Sequence, residues 1–365
     1  MTKRISAAFA AIILFSACQG AGGPTQTPAP VRTDAPLASP TGTPLPQTSA
    51  TAVPTTPAAP PTVLATTAAS PTSSSITVTG DDGTTVTLAS APQRVVSLTP
   101  ATTELMFELG AGDRLVGRTD YDDYPPEASQ VPPVATFQGV EMEKVVNIGP
   151  DLVLAGGNNF TSQADIDKMR QLGYPVLVLY AQDVAGVLAD ISLVGQAVGE
   201  SDTAAHINDS IQGRIDEVST AVASLSKPRT FYEIGDDPEL YGPAPDSFVA
   251  DEVTLAGGDP ITTTDPAVFS IPLERLVSED PEVIVLGDAA YGTCPSDVYG
   301  RAGWKKITAV EKQAVVPVDD TIVTRPGPRI GEGLAALALA IHPDAQITPP
   351  ADVPVYCSAT PSATP

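Results

Sequence analysis

The chain has 365 residues, with 43 acidic against 19 basic side chains and a formal net charge of -24. That excess of acid excludes a nucleic-acid binder, which needs a basic face to displace phosphate counterions. Cysteines at 18, 294 and 357 and histidines at 206 and 342 are too few for a disulfide scaffold or a typical metal site. No metal and no resident cofactor are expected.

The first residues read as an export signal. Lys3 and Arg4 form a basic start, and Ala7 to Phe15 is an apolar run well short of the roughly 20 residues a spanning helix needs. Phe15-Ser16-Ala17-Cys18 then resembles a lipobox, with Phe15 where Leu or Val is usual. The expectation is residues 1–18 as a lipoprotein signal with Cys18 as the lipidated residue. A secretory signal with a leftover cysteine is the alternative. Residues 19–74 hold 12 prolines and two charges, Arg32 and Asp34, among Thr, Ala and Ser. Such a segment has no apolar face to offset the entropy of ordering, and it reads as a stalk. Residues 346–365 are again rich in Pro, Ala and Thr.

The body lies between these segments, and strand and helix patterns alternate along it. Residues 76–79 and 84–88 flank Asp81-Asp82-Gly83 and read as a hairpin. Arg94–Leu98 is a strand, followed by Thr99 as N-cap, Pro100 at the first helical position and Gly110 as the stop. Further strands are expected at Leu115–Arg118, Asp151–Ala155, Pro175–Tyr180, Thr230–Ile234, Glu282–Gly287 and Ala314–Val318. Helices are expected over 184–199, 204–225, 247–256, 272–278, 302–310 and 330–341. The alternation predicts an α/β fold with parallel sheets covered by helices on both faces.

An internal repeat fixes the organisation. Residues 142–154, Met-Glu-Lys-Val-Val-Asn-Ile-Gly-Pro-Asp-Leu-Val-Leu, align without a gap on 273–285, Leu-Glu-Arg-Leu-Val-Ser-Glu-Asp-Pro-Glu-Val-Ile-Val. Each copy is a short helix, a proline break and a buried strand. The expected plan is two Rossmann-like lobes, 75–199 and 227–345, joined by one long helix at 200–226, with 346–365 as a tail. Ligands of parallel α/β lobes collect at the carboxyl ends of strands, so two facing lobes enclose a cleft.

Several segments then carry a resemblance. They are Arg94-Val-Val-Ser-Leu-Thr-Pro-Ala-Thr-Thr-Glu104, Tyr121-Asp-Asp-Tyr-Pro-Pro-Glu-Ala128, Phe137-Gln-Gly139 through Glu143, Pro150-Asp-Leu-Val-Leu154, Ala256-Gly-Gly258, Glu274 and Arg325-Pro-Gly-Pro-Arg329. Over about 76–345 the chain resembles the class III (helix-connected) substrate-binding proteins of ABC importers, and their cobalamin-binding branch most of all. The resemblance implies two lobes joined by a rigid helix, modest closure around ligand, and no catalytic residue. The implied ligand is a corrinoid, with a ferric siderophore or haem as the alternative. The implied setting is the outer face of the cytoplasmic membrane, as a lipid-anchored monomer partnered by an ABC permease dimer.

The same resemblance implies residue roles. Tyr121, Tyr124, Phe137, Gln138 and Phe269 become ligand contacts, since aromatic faces suit a flat macrocycle. Tryptophans are expected in such a cleft, yet Phe137 and Phe269 stand near two of those positions, Gly156 or Gly157 near another, and the only Trp is Trp304. Arg325 is a candidate ligand contact through its planar fork, and a loop brace against Asp319 or Asp320 stays open; Arg329 reads as structural. Glu143 and Glu274, one in each repeat, are implied to dock on basic pockets of the permease, against the alternative that a first-turn Glu merely complements a helix dipole. Cys294 and Cys357 are candidates for a disulfide clamping the tail to the second lobe. An extracellular enzyme on the same lobes is the competing class, but Gly-x-Ser-x-Gly, P-loop and His-Glu-x-x-His motifs are absent.

Overall fold

The computed structural model describes residues 75–157, 160–351, 354, 356 and 357. Cys18 and the 19–74 segment lie outside the described residues, as does Asn159.

A hairpin of β1 (Ile76–Thr79) and β2 (Thr85–Leu88) leads into the first lobe. There follow β3 (Val95–Ser97), α1 (Pro100–Glu108), β4 (Leu115–Thr119), β5 (Pro133–Thr136), β6 (Gly139–Val140), α2 (Met142–Ile148), β7 (Leu152–Gly156), α3 (Gln163–Gln171), β8 (Val176–Leu179) and α4 (Val184–Val198). The sheet order is β6-β5-β4-β3-β7-β8, parallel except for β6. After α5 (Ser201–Val222) comes the second lobe: β9 (Arg229–Glu233), α6 (Phe248–Leu255), β10 (Asp259–Pro260), α7 (Leu273–Glu279), β11 (Val283–Leu286), α8 (Pro295–Gly300), α9 (Thr308–Glu311), β12 (Val315–Pro317), α10 (Asp320–Val323) and α11 (Ile330–Ile341). Its four strands run parallel in the order β10-β9-β11-β12.

Period-2 alternation along continuous apolar strands explains two-sided burial. In β7, Leu152 and Leu154 enter one core layer, while Val153 and Ala155 enter the layer on the opposite face. In β11, Val283 and Val285 face one side and Ile284 and Leu286 the other. Each such side chain, fully buried, is worth about 1.5–3 kcal/mol relative to exposure. Helix α1 starts as its sequence dictates: the Thr99 hydroxyl accepts from the Thr102 amide at 3.1 Å, and Pro100 occupies the first turn.

The connector belongs to both lobes. Ala204, Ile207 and Ile211 of α5 insert into the first lobe's core, and Val218 and Val222 into the second's, with Ile215 bordering both. This helical spacing makes one apolar stripe that each lobe covers for half its length. Ile330 at the start of α11 also joins the first lobe's core. The two lobes are therefore joined by side chains of α5 and of the start of α11.

Three differences from the sequence reading stand out. The expected helix over 302–310 is broken at Ile307, whose extended backbone lets Asp280 accept from the Thr308 amide at 2.8 Å and cap α9 instead. Strands β5 and β6 and the two-residue β10 carry no strand signal: Pro133 begins β5, and β6 and β10 are too short for alternation to show. The long helix starts three residues earlier than the expected 204, at Ser201. No described helix is long and apolar enough to cross a membrane.

One core feature has a measurable signature. Glu252 of α6 is fully buried, and neither carboxyl oxygen has a hydrogen-bond partner. Burial, and then the charges of Asp251 and Asp320, push it well above the ordinary carboxylate range. The folded chain thus holds a proton that the unfolded chain releases. The stabilisation is present below the ordinary carboxylate range and is lost as pH rises through the raised value. Glu252→Gln should change stability little near about pH 4 and increase it near about pH 8. Urea denaturation at both values checks this, and an unchanged pH slope contradicts it.

Candidate ligand cleft

The carboxyl ends of β4, β5, β7 and β8 present an aromatic surface. Its anchor is Asp122, buried just after β4. This carboxylate accepts from the Thr103 hydroxyl at 2.6 Å, the Thr119 amide at 3.1 Å and the Thr119 hydroxyl. Ser97 and Thr102 continue the hydroxyl network across the start of α1. Burial pushes the Asp122 carboxyl up, against the pull of these bonds. The loop is thereby tied to β4 and α1, which fixes the side chains on either side of Asp122.

Tyr121 stacks on Phe137, with ring centroids 4.3 Å apart and planes 17° from parallel. Phe160 meets Tyr121 edge-on at 6.3 Å. Burial, then the Asp122 charge, push the Tyr121 phenol up to about 12, so this ring stays neutral. Phe137 is 56% exposed, and Phe160 and Tyr180 are also exposed, so the surface is open to a partner. Gly156 and Gly157 explain why no tryptophan stands at their position. A Cβ on Gly156 would fall 2.8 Å from a Thr99 methyl, and one on Gly157 would fall 2.8 Å from the Tyr180 Cβ. The missing side chains leave room for Phe160 and Tyr180 to lie over the strand ends. Gln138 is exposed beside Phe137, its backbone N–H donating to the Thr136 hydroxyl at 3.1 Å.

The second lobe offers Ile234 after β9, the Val268-Phe269 segment and Tyr291 after β11, a residue 61% exposed. The Phe269 carbonyl accepts from the Gly242 amide at 2.8 Å, which ties its loop to the strand end. Below this edge Arg301 grips Glu233 with both arms, at 2.7 and 2.6 Å, and reaches Asp236 at 2.8 Å. Its guanidinium lies 4.7 Å over the Trp304 ring, which packs in the second lobe's core. Burial pushes Glu233 up to about 7, against the downward pull of Arg301.

The lobes meet through an ionic clamp. Glu104 of α1 is only 3% exposed. It accepts from Arg329 Nε at 2.8 Å and a second Arg329 nitrogen at 2.7 Å, and from Arg325 at 2.9 Å. Arg325 also reaches Asp123 at 2.7 Å, and the Arg329 guanidinium lies 3.9 Å over the Tyr124 ring. Arg325 is therefore engaged by first-lobe carboxylates, and the brace weighed for it is made by Glu104 and Asp123 rather than by Asp319 or Asp320. Those two carboxylates turn inward: Asp319 caps α10 through the Thr321 amide, and Asp320 accepts from the Tyr232 hydroxyl at 2.9 Å. Tyr124 also belongs to this clamp, on the side facing Arg329.

Of the sequence candidates, Tyr121 and Phe137 come together as one stack with Gln138 beside it, Tyr124 and Arg325 join the clamp, and Phe269 lies on the opposite lobe. Phe160, Tyr180 and Tyr291 escape the sequence reading. Their signal is an exposed aromatic residue just past a buried strand. Glu104 carries no local signal, because its partners lie 221 and 225 positions later in the chain.

Glu143 and Glu274 occupy the second position of α2 and α7, two seven-residue helices. Both are exposed, and neither has an ion-pair or hydrogen-bond partner among the described side chains. The helices are braced alike. Arg94 donates to the carbonyls of Ile148 and Gly149 at the end of α2, and its own amide is held by Asp151. Arg229 donates to the carbonyls of Glu279 and Asp280 at the end of α7, and its amide is held by Glu282. Cys294 and Cys357 are joined in a disulfide that ties the tail to the loop beyond Tyr291. Among the described residues no group of His, Cys, Asp or Glu could hold a metal ion.

Comparison with known proteins gives these features a context. A family model described as periplasmic binding protein matches residues 95–321. An uncharacterised ABC transporter substrate-binding lipoprotein of Bacillus subtilis is 33% identical over 69% of this chain and 81% of its own length. A cobalamin-binding protein of Halobacterium salinarum is 31% identical over 69% of this chain and 70% of its own. Among solved structures, the periplasmic vitamin B12-binding protein of Vibrio cholerae matches with a TM-score of 0.61 at 23% identity, covering 69% of this chain and 97% of that one. A periplasmic heme-binding protein of Roseiflexus matches with a TM-score of 0.60 at 20% identity, covering 69% and 98%.

Proposed function

The chain belongs to the periplasmic binding protein family, whose members here are substrate-binding components of ABC transporters and not enzymes, and from that premise we propose that its ligand is a corrinoid, held between the lobes and delivered to a permease dimer. The observation that carries the reading is the Tyr121–Phe137 stack at the strand ends, joined by Phe160 and by exposed Tyr180, with Tyr291 exposed after β11 of the second lobe. Rigid rings offer a flat macrocycle large contact area at little cost in conformational entropy. The cobalamin-binding relative supports the same ligand. A ferric siderophore or haem is the alternative, supported by the similarity in fold to a heme-binding protein. We further propose that Cys18 carries a lipid and that 19–74 is the stalk lifting the body from the outer face of the cytoplasmic membrane.

The purified body should bind cobalamin one to one in calorimetry. Phe137→Ala removes a half-exposed ring stacked on Tyr121, so it should lower stability by no more than about 1 kcal/mol and weaken binding by about 1–2 kcal/mol, the scale of one aromatic contact. Binding of a ferric siderophore with no heat for cobalamin would replace the corrinoid by the alternative.

Delivery is a separate property. Glu143 and Glu274 sit at equivalent places on two lobes, and a dimeric permease presents two equivalent sockets. Glu143→Lys and Glu274→Lys should each leave ligand affinity unchanged and weaken docking by about 2–5 kcal/mol, as a like charge then faces a basic pocket. The double variant should abolish uptake in a reconstituted importer, and normal uptake would reduce both residues to helix-start chemistry. In cells, Cys18→Ala should release the chain from membranes or leave it uncleaved, whereas continued membrane retention of a processed variant would remove the anchor.

A further inference from the structure

Arginines on a loop at the mouth of a cleft ordinarily bind anions, because their forked donors match carboxylate and phosphate oxygens. Here Arg325, Arg329 and Arg301 are each paired with the protein's own carboxylates, and Arg118, near the end of β4, is buried against the Ala128 and Thr119 carbonyls. We infer that Glu104 and Asp123 are specificity-determining residues: by neutralising Arg325 and Arg329 they leave the cleft mouth without a net positive charge, so that it takes an uncharged or cationic macrocycle and refuses one bearing carboxylates. This rests on the reading of the chain as a binding protein for a large ring-shaped ligand, and it adds the charge that ligand must carry.

The geometry supports it at each contact. Arg329 meets Glu104 through two parallel bonds of 2.8 and 2.7 Å, the fork-to-fork arrangement that leaves least of a guanidinium for another acceptor. Its face is covered by the Tyr124 ring at 3.9 Å. Arg325 divides one nitrogen between Glu104 at 2.9 Å and Asp123 at 2.7 Å. Arg301, the third, is matched by Glu233 and Asp236. Formal charges at the clamp therefore cancel, with two arginines against two carboxylates, and around Arg301 the carboxylates are in excess. The aromatic face of Tyr121, Phe137, Phe160, Tyr180 and Tyr291 contains no basic side chain.

The two carboxylates act differently. Glu104 is buried, so an incoming anion that took its arginines would leave a desolvated charge behind. Removing one partner of such a buried pair is strongly unfavourable, equivalent to a loss of roughly a hundredfold or more in affinity. The Asp123 side chain is 66% exposed and stands at the mouth, where an approaching ligand meets its charge directly. Glu104 thus immobilises the arginines, and Asp123 repels what would compete for them. Tyr291 is within electrostatic reach of Arg325, Asp123 and Asp320, so its ring borders the same charges.

The test uses ligands that differ in charge more than in shape. The chain is titrated with cobalamin, with cobalamin in which one propionamide is hydrolysed to a carboxylate, with haem, and with a cationic ferric tris-hydroxamate. The wild type should prefer the amide to the acid by on the order of tenfold and should not bind haem. Asp123→Asn changes only an exposed side chain, and it should bring the two cobalamins within about twofold of each other. Glu104→Gln together with Asp123→Asn should favour the acid. Equal wild-type affinity for amide and acid, or a ratio that Asp123→Asn leaves unmoved, overturns the inference and leaves the corrinoid reading intact. A wild type that binds the cationic hydroxamate and no corrinoid removes the corrinoid reading and supports the charge rule, whereas tight haem binding removes both.

Discussion

One buried carboxylate holds the two halves of this molecule in register. Glu104 sits in the middle of α1, and its two oxygens face a Pro/Gly loop that belongs to the other lobe. A buried carboxylate without partners would shed its charge or exclude the fold, so the first lobe's α1 requires Arg325 and Arg329 to be present. The requirement is mutual, since those arginines are themselves largely buried. Charge pairs of this kind contribute little net stability compared with apolar packing, but separating the partners leaves a buried charge unpaired, at a cost of about 3–5 kcal/mol. The clamp therefore specifies where the lobes stand, while the stripe of Ile207, Ile211, Val218 and Val222 on α5 supplies the adhesion between them.

The cleft follows from that spacing. Asp122 and Asp123 are neighbours in one loop with opposite duties. Asp122 points inward to three donors from Thr103 and Thr119, and Asp123 points outward to Arg325. Tyr121 and Tyr124 flank this pair, one stacked on Phe137 and the other under Arg329. The aromatic face and the clamp are thus two sides of a single four-residue turn. Whatever displaces the clamp moves the Tyr121 ring as well, which couples lobe spacing to ligand contact.

Much of the plan was legible because it rests on local chemistry. Thr99, Pro100 and Gly110 bound α1, the apolar runs mark the parallel strands, and the repeat of 142–154 on 273–285 reveals the two lobes. The arginine braces extend that repeat in three dimensions: Arg94 with Asp151 and Arg229 with Glu282 perform the same task, although the two arginines stand at positions that the ungapped alignment does not reach. What stayed hidden depends on long-range pairing or on missing side chains. Glu104 and Arg329 read separately as a helix residue and a loop residue. The place of Phe160 follows from the space left by Gly156, where a Cβ would fall 3.0 Å from the Phe160 ring. The break at Ile307 was equally out of reach, because Asp280, which caps the following turn, lies 28 residues earlier.

The distance between the lobes tests this account most directly. Nitroxide labels at exposed Gln171 and Lys312, one on each lobe, would report it by pulsed electron resonance, with the Cys294–Cys357 disulfide kept oxidised. A clamp centred on Glu104 gives one narrow distance distribution in the free protein, little shifted by cobalamin, and Glu104→Ala broadens it. A broad or two-peaked distribution in the free wild type, or a Glu104→Ala variant with the same narrow peak, would contradict the claim that this carboxylate sets the cleft.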